Sequence, residues 1–322
     1  MFRSSFGYEP DFVHENYRRL RRHALFVSGC FIAYFILQEL LSALILYEPL
    51  GLSGHYYSNP AFQYAVAAFA FSFVALGLPF LIYSSKKGSL SYFRVLPFHT
   101  PQPAKKLICL VLAGWGVCMA ANYICAYVGV FFSAFDLQEL TPELPVSENW
   151  LDVLMNFVCA AVMAPLIEEF VFRGVIMQPL RRYGNGFAVV VSSLLFALVH
   201  GTPSNVVFAF ISGLAIGFAV IYSRSIWVGI IIHALNNGFS VLFSELTEVF
   251  SDSVDALFSL YCIGIIIIGA LAFLVFAFSY GLKLGGNSSG LTLGRRLKAV
   301  FLSVPMIVVL VYIAFILSIS VV

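Results

Sequence analysis

The chain has 322 residues, of which 61% are hydrophobic and only 11% charged, with a mean hydropathy of +0.93. A soluble domain carries about 25% charged residues, so composition excludes a soluble enzyme and offers no basic surface for nucleic acid. The net charge of +2 says little about partners; where the charges fall says more.

The N-terminal segment holds Glu9, Asp11 and Glu15 before the basic run Arg18, Arg19, Arg21 and Arg22. No small-residue cleavage pattern closes the long apolar stretch that follows, so it reads as a retained first helix and not as a secretory signal. Apolar stretches near the 20 residues that a span needs recur at about 24–47, 61–84, 106–133, 151–179, 187–200, 205–222, 226–245, 256–282 and 300–321. The fifth and sixth are short and read as a tight hairpin around Gly201-Thr202-Pro203-Ser204-Asn205, a turn-rich string. The expected fold is an all-α polytopic transmembrane bundle of about 8–9 spans. It divides into a three-span N-terminal region (1–149), a core (150–245) and a two-span C-terminal region (256–322). The acidic stretch 133–150 reads as an external loop. The segment from Lys283 to Lys298, with its Gly/Asn/Ser run, reads as a flexible cytoplasmic one.

With the N-terminus inside, 17 of the 18 Lys and Arg residues fall on inward segments, and the remaining one, Arg173, lies within the fourth span. The outward segments carry acid instead: Glu48; Asp136, Glu139, Glu143 and Glu148; then Glu245, Glu248, Asp252 and Asp255. This asymmetry predicts an integral membrane protein, in the cell membrane, with a cytoplasmic N-terminus. The six cysteines all lie in apolar stretches without a CxxC pair, and read as small buried residues.

Ionisable side chains at bilayer depth are costly and tend to mark function. Here they form three constellations: Glu168-Glu169 with Arg173, Phe196 with His200, and His233 with Asn237. Glu169 and Arg173 are four apart, on one helix face, in the favoured order of acid before base. Glu168 points about 100° away and is left free to act as a general base. Pro165 removes a backbone hydrogen bond just upstream, so the helix is expected to open there. At 1.5 Å per residue, Glu168 and His200 each lie roughly 20 Å from the cytoplasmic edge, and His233 and Asn237 about 10–16 Å. Three helices thus bring polar groups to overlapping levels. His233 and Asn237 share a face, where imidazole and amide donors suit an oxyanion; Asn236 nearly shares it, and Phe196 reads as a packing prop for His200. Polar groups in membrane bundles also serve as interhelical glue, the expected role of Glu39. Gly213 and Gly217 read as a close helix contact.

In order along the chain, these residues resemble a known family: Glu168-Glu169-Phe170-Val171-Phe172-Arg173, Ser192-Ser193 running on to Phe196 and His200, Gly213 with Gly217, and Ser225-Ile226-Trp227 running on to His233 and Asn236-Asn237. The resemblance, over about residues 150–245, is to the CAAX-processing and bacteriocin-processing (CPBP, or ABI) intramembrane endopeptidases. It implies a protease with its site inside the membrane, Glu168 and His200 activating water, His233 and Asn237 binding the oxyanion, and Glu169 and Arg173 bracing the helix. The implied substrate is a membrane-associated peptide: a lipidated tail, a leader or a signalling peptide. Glu168, His200 and His233 also match a catalytic zinc set. A Glu/His pair activating water directly needs no cofactor, and Asn237 is a more natural oxyanion donor than ligand, so the metal-free route is favoured. The alternative is a non-catalytic membrane partner that regulates a sensor kinase or another membrane protein. A transporter is disfavoured because no inverted repeat is evident.

Overall fold

A computed structural model describes residues 10–85, 102–140, 146–250 and 252–322. The helices are α1 (Pro10–Leu46), α2 (Leu52–Ser58), α3 (Pro60–Ser85), α4 (Ala104–Ser133), α5 (Trp150–Tyr183), α6 (Asn185–Leu198), α7 (Pro203–Ser223), α8 (Ile226–Phe250), α9 (Asp252–Tyr280), α10 (Leu293–Phe301) and α11 (Val304–Ile319). Among the described residues seven helices are long and apolar enough to cross a membrane. An eighth is formed if α10 and α11, bent by 74°, count as one span. The all-α bundle is therefore the fold. The fifth apolar stretch is the exception: α6 has 14 residues, about 21 Å of helix, which is short of a bilayer core of about 30 Å. Lys86, Lys87, Arg94 and Glu143 lie outside the described residues.

The outward surface is apolar. Phe278, Val304, Trp150 and Leu257 are among its most exposed large side chains, and such a surface belongs in a lipid bilayer. Apolar burial drives helix association little in lipid, so close packing between small residues matters more. A Cβ built on Gly116 of α4 would lie 2.9 Å from the Cα of Gly269 on α9, so the two backbones touch. The Gly213–Gly217 pair acts alike between α7 and α6: a Cβ at Gly217 would meet Val189 Cγ1 at 2.9 Å, and one at Gly213 would meet Ser193 Cβ at 3.1 Å. Glu39 accepts a hydrogen bond from Tyr312 at 2.7 Å and so ties α1 to α11.

The core centres on α5. Val171, Phe172, Val175 and Ile176 are buried, with Phe172 packed against Phe31 of α1 and Phe196 of α6. The helix is regular over Ala164–Glu169 and widens into π-helical turns on both sides, at Val158–Met163 and Phe170–Ile176. Such turns are frequent at functional sites.

Hydrogen bonds gather the basic connections at one end of the bundle. Asn16 donates to Ser289 O, Tyr183 to Asn16 O, Arg296 to Tyr183 O, and the Asn185 amide to Gly285 O. The segment expected to be a flexible loop is therefore seated. Asn287 accepts from both the amide and the hydroxyl of Ser289, which is fully buried. At the opposite end Gln138 and Leu140 pair with Val322 and Ser320, and Glu139 accepts from the amide of Ser204 at the start of α7. The α6–α7 turn thus reaches the level of the acidic stretch even though α6 is short.

Candidate active site

Each polar constellation is placed by a local feature of its helix. Glu169 and Arg173, both fully buried, meet at 3.0 Å across one turn of α5. Arg173 also donates to Gly213 O at 3.3 Å, and its guanidinium lies 4.3 Å from the centre of the Phe196 ring. A buried charge is tolerable when it is paired and hydrogen-bonded, and Arg173 has all three partners.

The widened turns of α5 leave carbonyls to be satisfied by side chains. Ala164 N–H bonds Cys159 O, five residues back. The next bond in that register would run from residue 165 to Ala160 O, but Pro165 has no N–H. Asn237 of α8 supplies the missing donor, its amide nitrogen 3.0 Å from Ala160 O. The expected opening at Pro165 is therefore a widened turn held from α8, not a break. In the second widened turn, Gln178 donates to Arg173 O at 2.8 Å and Ser192 to Phe172 O at 2.7 Å.

Helix α8 runs antiparallel to α5 and brings His233 level with the two glutamates. His233 Nδ1 is 3.0 Å from Glu169 Oε1, and Nε2 is 3.8 Å from Glu168 Oε2. A carboxylate beside Nδ1 calls for a proton on that nitrogen, and Nε2 faces Glu168. Glu168 Oε2 is buried and has no hydrogen-bond partner. Gly229, one turn before His233, makes this approach possible, because a Cβ there would lie 2.9 Å from Glu169 Oε2.

His200 differs from expectation. Helix α6 ends at Leu198, and His200 lies beyond it, folded back so that Nδ1 is 2.8 Å from Phe196 O. That carbonyl is one of the last four of the helix, which have no partner within it. Donation from Nδ1 leaves Nε2 as the available atom of His200. The Phe196 ring packs edge-on against His200 and His233, with centroids 4.6 and 5.7 Å apart. Glu168 and His233 lie within electrostatic reach of His200. Among the described residues, however, the imidazole within 4 Å of Glu168 is that of His233. Asn236 is buried and donates to Asn237 Oδ1 at 3.2 Å, which fixes the amide plane.

Sequence reasoning gives no role to Gly229, Gln178 or Ser192, although Ser192 and Gly229 lie within the motif segments that carry the resemblance. Gly229 carried a signal, a glycine at helical spacing before His233; the other two answer a widening of α5 that no periodicity marks. The donor types of Glu168, His200 and His233 would take zinc. Among the described residues, though, no three of His, Cys, Asp and Glu stand close enough to share a metal ion, so the residues as arranged do not fit one.

Comparison with known proteins places the same segment. Residues 150–239 match the family described as type II CAAX prenyl endopeptidase Rce1-like. The chain is 30% identical over 159 residues to the membrane-embedded CAAX protease MroQ of Staphylococcus aureus (strain USA300), a match covering 47% of this chain and 64% of MroQ. It is 29% identical over 97 residues to YdiL of Bacillus subtilis (strain 168), whose given name proposes a membrane peptidase; that match covers 29% of this chain and 40% of YdiL. The chain thus spans less than two thirds of the length of these relatives. No solved structure matches. The motif-bearing core, with Glu168, Glu169, Arg173, His200, His233 and Asn237 inside its matched limits, is thus similar to that of the type II CAAX prenyl endopeptidases.

Proposed function

We propose that the chain is an intramembrane endopeptidase that hydrolyses a peptide bond in a membrane-associated peptide, with Glu168 as the base. The observation that carries this is the unpaired, buried Glu168 Oε2 facing an imidazole that a second carboxylate orients. A carboxylate positioned to take a proton from water acts as a general base. Glu168 takes a proton from water as the water oxygen bonds to the scissile carbonyl carbon, and the carbonyl electron pair moves to its oxygen. Collapse breaks the C–N bond, and the leaving nitrogen takes the proton from Glu168.

The other residues hold this arrangement. Arg173 pins Glu169, and Glu169 holds His233 by Nδ1. His233 thereby becomes the near partner of Glu168, a role the sequence reading gives to His200. Nε2 of His200 is left to contact water or substrate. Asn237 keeps a second amide hydrogen beyond the one bonded to Ala160 O, and that hydrogen is the oxyanion donor. The basic end of the bundle faces the cytoplasm.

The test compares the membrane peptidome of cells carrying the natural chain with that of cells carrying Glu168→Gln. Cleaved termini present with the first and absent with the second are expected, and in vitro cleavage of those peptides should persist in excess chelator. Identical peptidomes, with the cellular phenotype fully restored by a Glu168→Gln, His200→Ala double variant, would instead establish the non-catalytic partner.

A further inference from the structure

Away from the polar cluster, α4, α7 and α9 line an open cavity of about 610 Å³. Its walls are almost wholly apolar. Ala113 and Ala120 of α4, Ala215 of α7 and Ala270 of α9 line it with small side chains, and Phe218 and Phe273 help to wall it. None of the proposed site residues lines it. Helices α4 and α7 separate it from the α5–α8 contact, since Gly114 of its lining also abuts Ile232, the neighbour of His233.

One end of this cavity is marked by Tyr222, Leu282 and Leu284, at the basic end of the bundle. Positive charge collects there. Lys106 Nζ lies 5.8 Å from the centre of the Tyr280 ring, and Tyr280 packs on Phe276, which packs on Tyr222. Phe276 and Tyr222 both line the cavity. Lys106 also donates to the neutral amide oxygen of Gln102 at 2.8 Å. Arg224 follows Tyr222 by two residues at the end of α7 and is held there in the left-handed region at φ 54°. It lies within electrostatic reach of both Lys106 and Arg181.

An apolar slot opening beside clustered cations has the chemistry of an amphiphile with an anionic head. We propose that the α4–α7–α9 cavity binds one acyl chain of an anionic glycerophospholipid, whose headgroup phosphate sits against Lys106 and Arg224. Basic pockets between helices recognise anionic headgroups in this way. A zwitterionic lipid offers the same chains but gains less from the cations, so charge sets the preference. The site is independent of the proposed proteolysis and needs no catalytic residue.

Native mass spectrometry of the full chain, exchanged into equal mixtures of phosphatidylglycerol and phosphatidylcholine, tests this without an activity readout. Each basic side chain near an anionic headgroup contributes about a fivefold preference. The natural chain should therefore retain phosphatidylglycerol over phosphatidylcholine by roughly 25-fold, and Lys106→Gln or Arg224→Asn should each remove about fivefold. Asparagine is chosen because it tolerates the left-handed backbone. Ala215→Phe, which fills the cavity, should lower retention of both lipids while the unaltered charges keep the headgroup preference. Melting curves of each variant establish that it is folded. Equal retention of the two lipids by the natural chain would overturn the proposal. So would a preference that survives both charge variants, or full retention in a folded Ala215→Phe variant. Stoichiometric displacement of phosphatidylglycerol by an uncharged isoprenoid would also overturn it and assign the cavity to a neutral chain.

Discussion

At the scale of single residues, the two adjacent glutamates have opposite needs. Glu169 is fully buried between Arg173 and His233, so its charge is structural. Removing one partner of a buried pair leaves the other uncompensated and costs about 3–5 kcal/mol. Glu169→Gln should therefore lower the melting temperature and folded yield sharply. Oε2 of both glutamates lacks a hydrogen-bond partner, but Arg173 pairs with Glu169, and Glu168→Gln keeps the side chain's shape. That variant should melt near the natural protein and cleave nothing. Thermal melts in detergent beside a cleavage assay separate the two, and equal melting temperatures for both variants would invert this division of labour. Gly229→Ala tests the same contact from α8. Its Cβ would meet Val220 Cγ2 at 2.8 Å as well as Glu169 Oε2 at 2.9 Å, and overpacking of this kind costs about 1–3 kcal/mol. The variant should lose stability, and the displaced Glu169 should carry activity down with it.

At the scale of elements, α5 and α8 form one unit because α5 is not a regular helix. Pro165 withholds the bond that Ala160 O would accept in the widened register, and Asn237 supplies it. The two residues should therefore be coupled. Asn237→Ala alone strands a carbonyl and should cost about 1 kcal/mol. In a Pro165→Ala background the backbone N–H returns, so the same substitution should cost much less. A double-mutant cycle on melting free energies should show a coupling of at least about 0.5 kcal/mol, the lower end for residues in contact. A coupling near zero would mean that Asn237 braces nothing. The glutamate–arginine spacing on α5 is legible in the sequence because both residues lie on one helix, where a period of 3.6 fixes the geometry. The widened turns are not, because a π turn depends on which outside donors meet its carbonyls. For the same reason His200 reads as part of a helix that in fact ends two residues earlier.

For the whole molecule, the connections sort by charge into two ends. Asn16, Tyr183, Gly285 and Ser289 are bonded together at one; Glu139, Ser204 and the final residues meet at the other. If the basic end is cytoplasmic, a single cysteine at position 137 in a cysteine-free background should react with an impermeant reagent added outside intact cells. One at position 287 should react only after permeabilisation. The reverse pattern would invert the orientation, though not the grouping of the ends.

Composition, charge and helical spacing are enough to specify a polytopic helical bundle and its two kinds of end, and the ordered motifs of its core carry the resemblance to a family. Bilayer insertion depends on summed transfer free energy along each segment, and i,i+4 neighbours need no tertiary contact to be adjacent. The partnership of Glu168 with His233 is a matter of packing. It requires α8 to lie antiparallel to α5 at one register, with Gly229 permitting the approach and Asn237 meeting the carbonyl that Pro165 leaves open. Those contacts join residues sixty or more positions apart. Only the folded bundle could choose which histidine stands beside the free carboxylate, because the matched depths of His200 and His233 leave both within range.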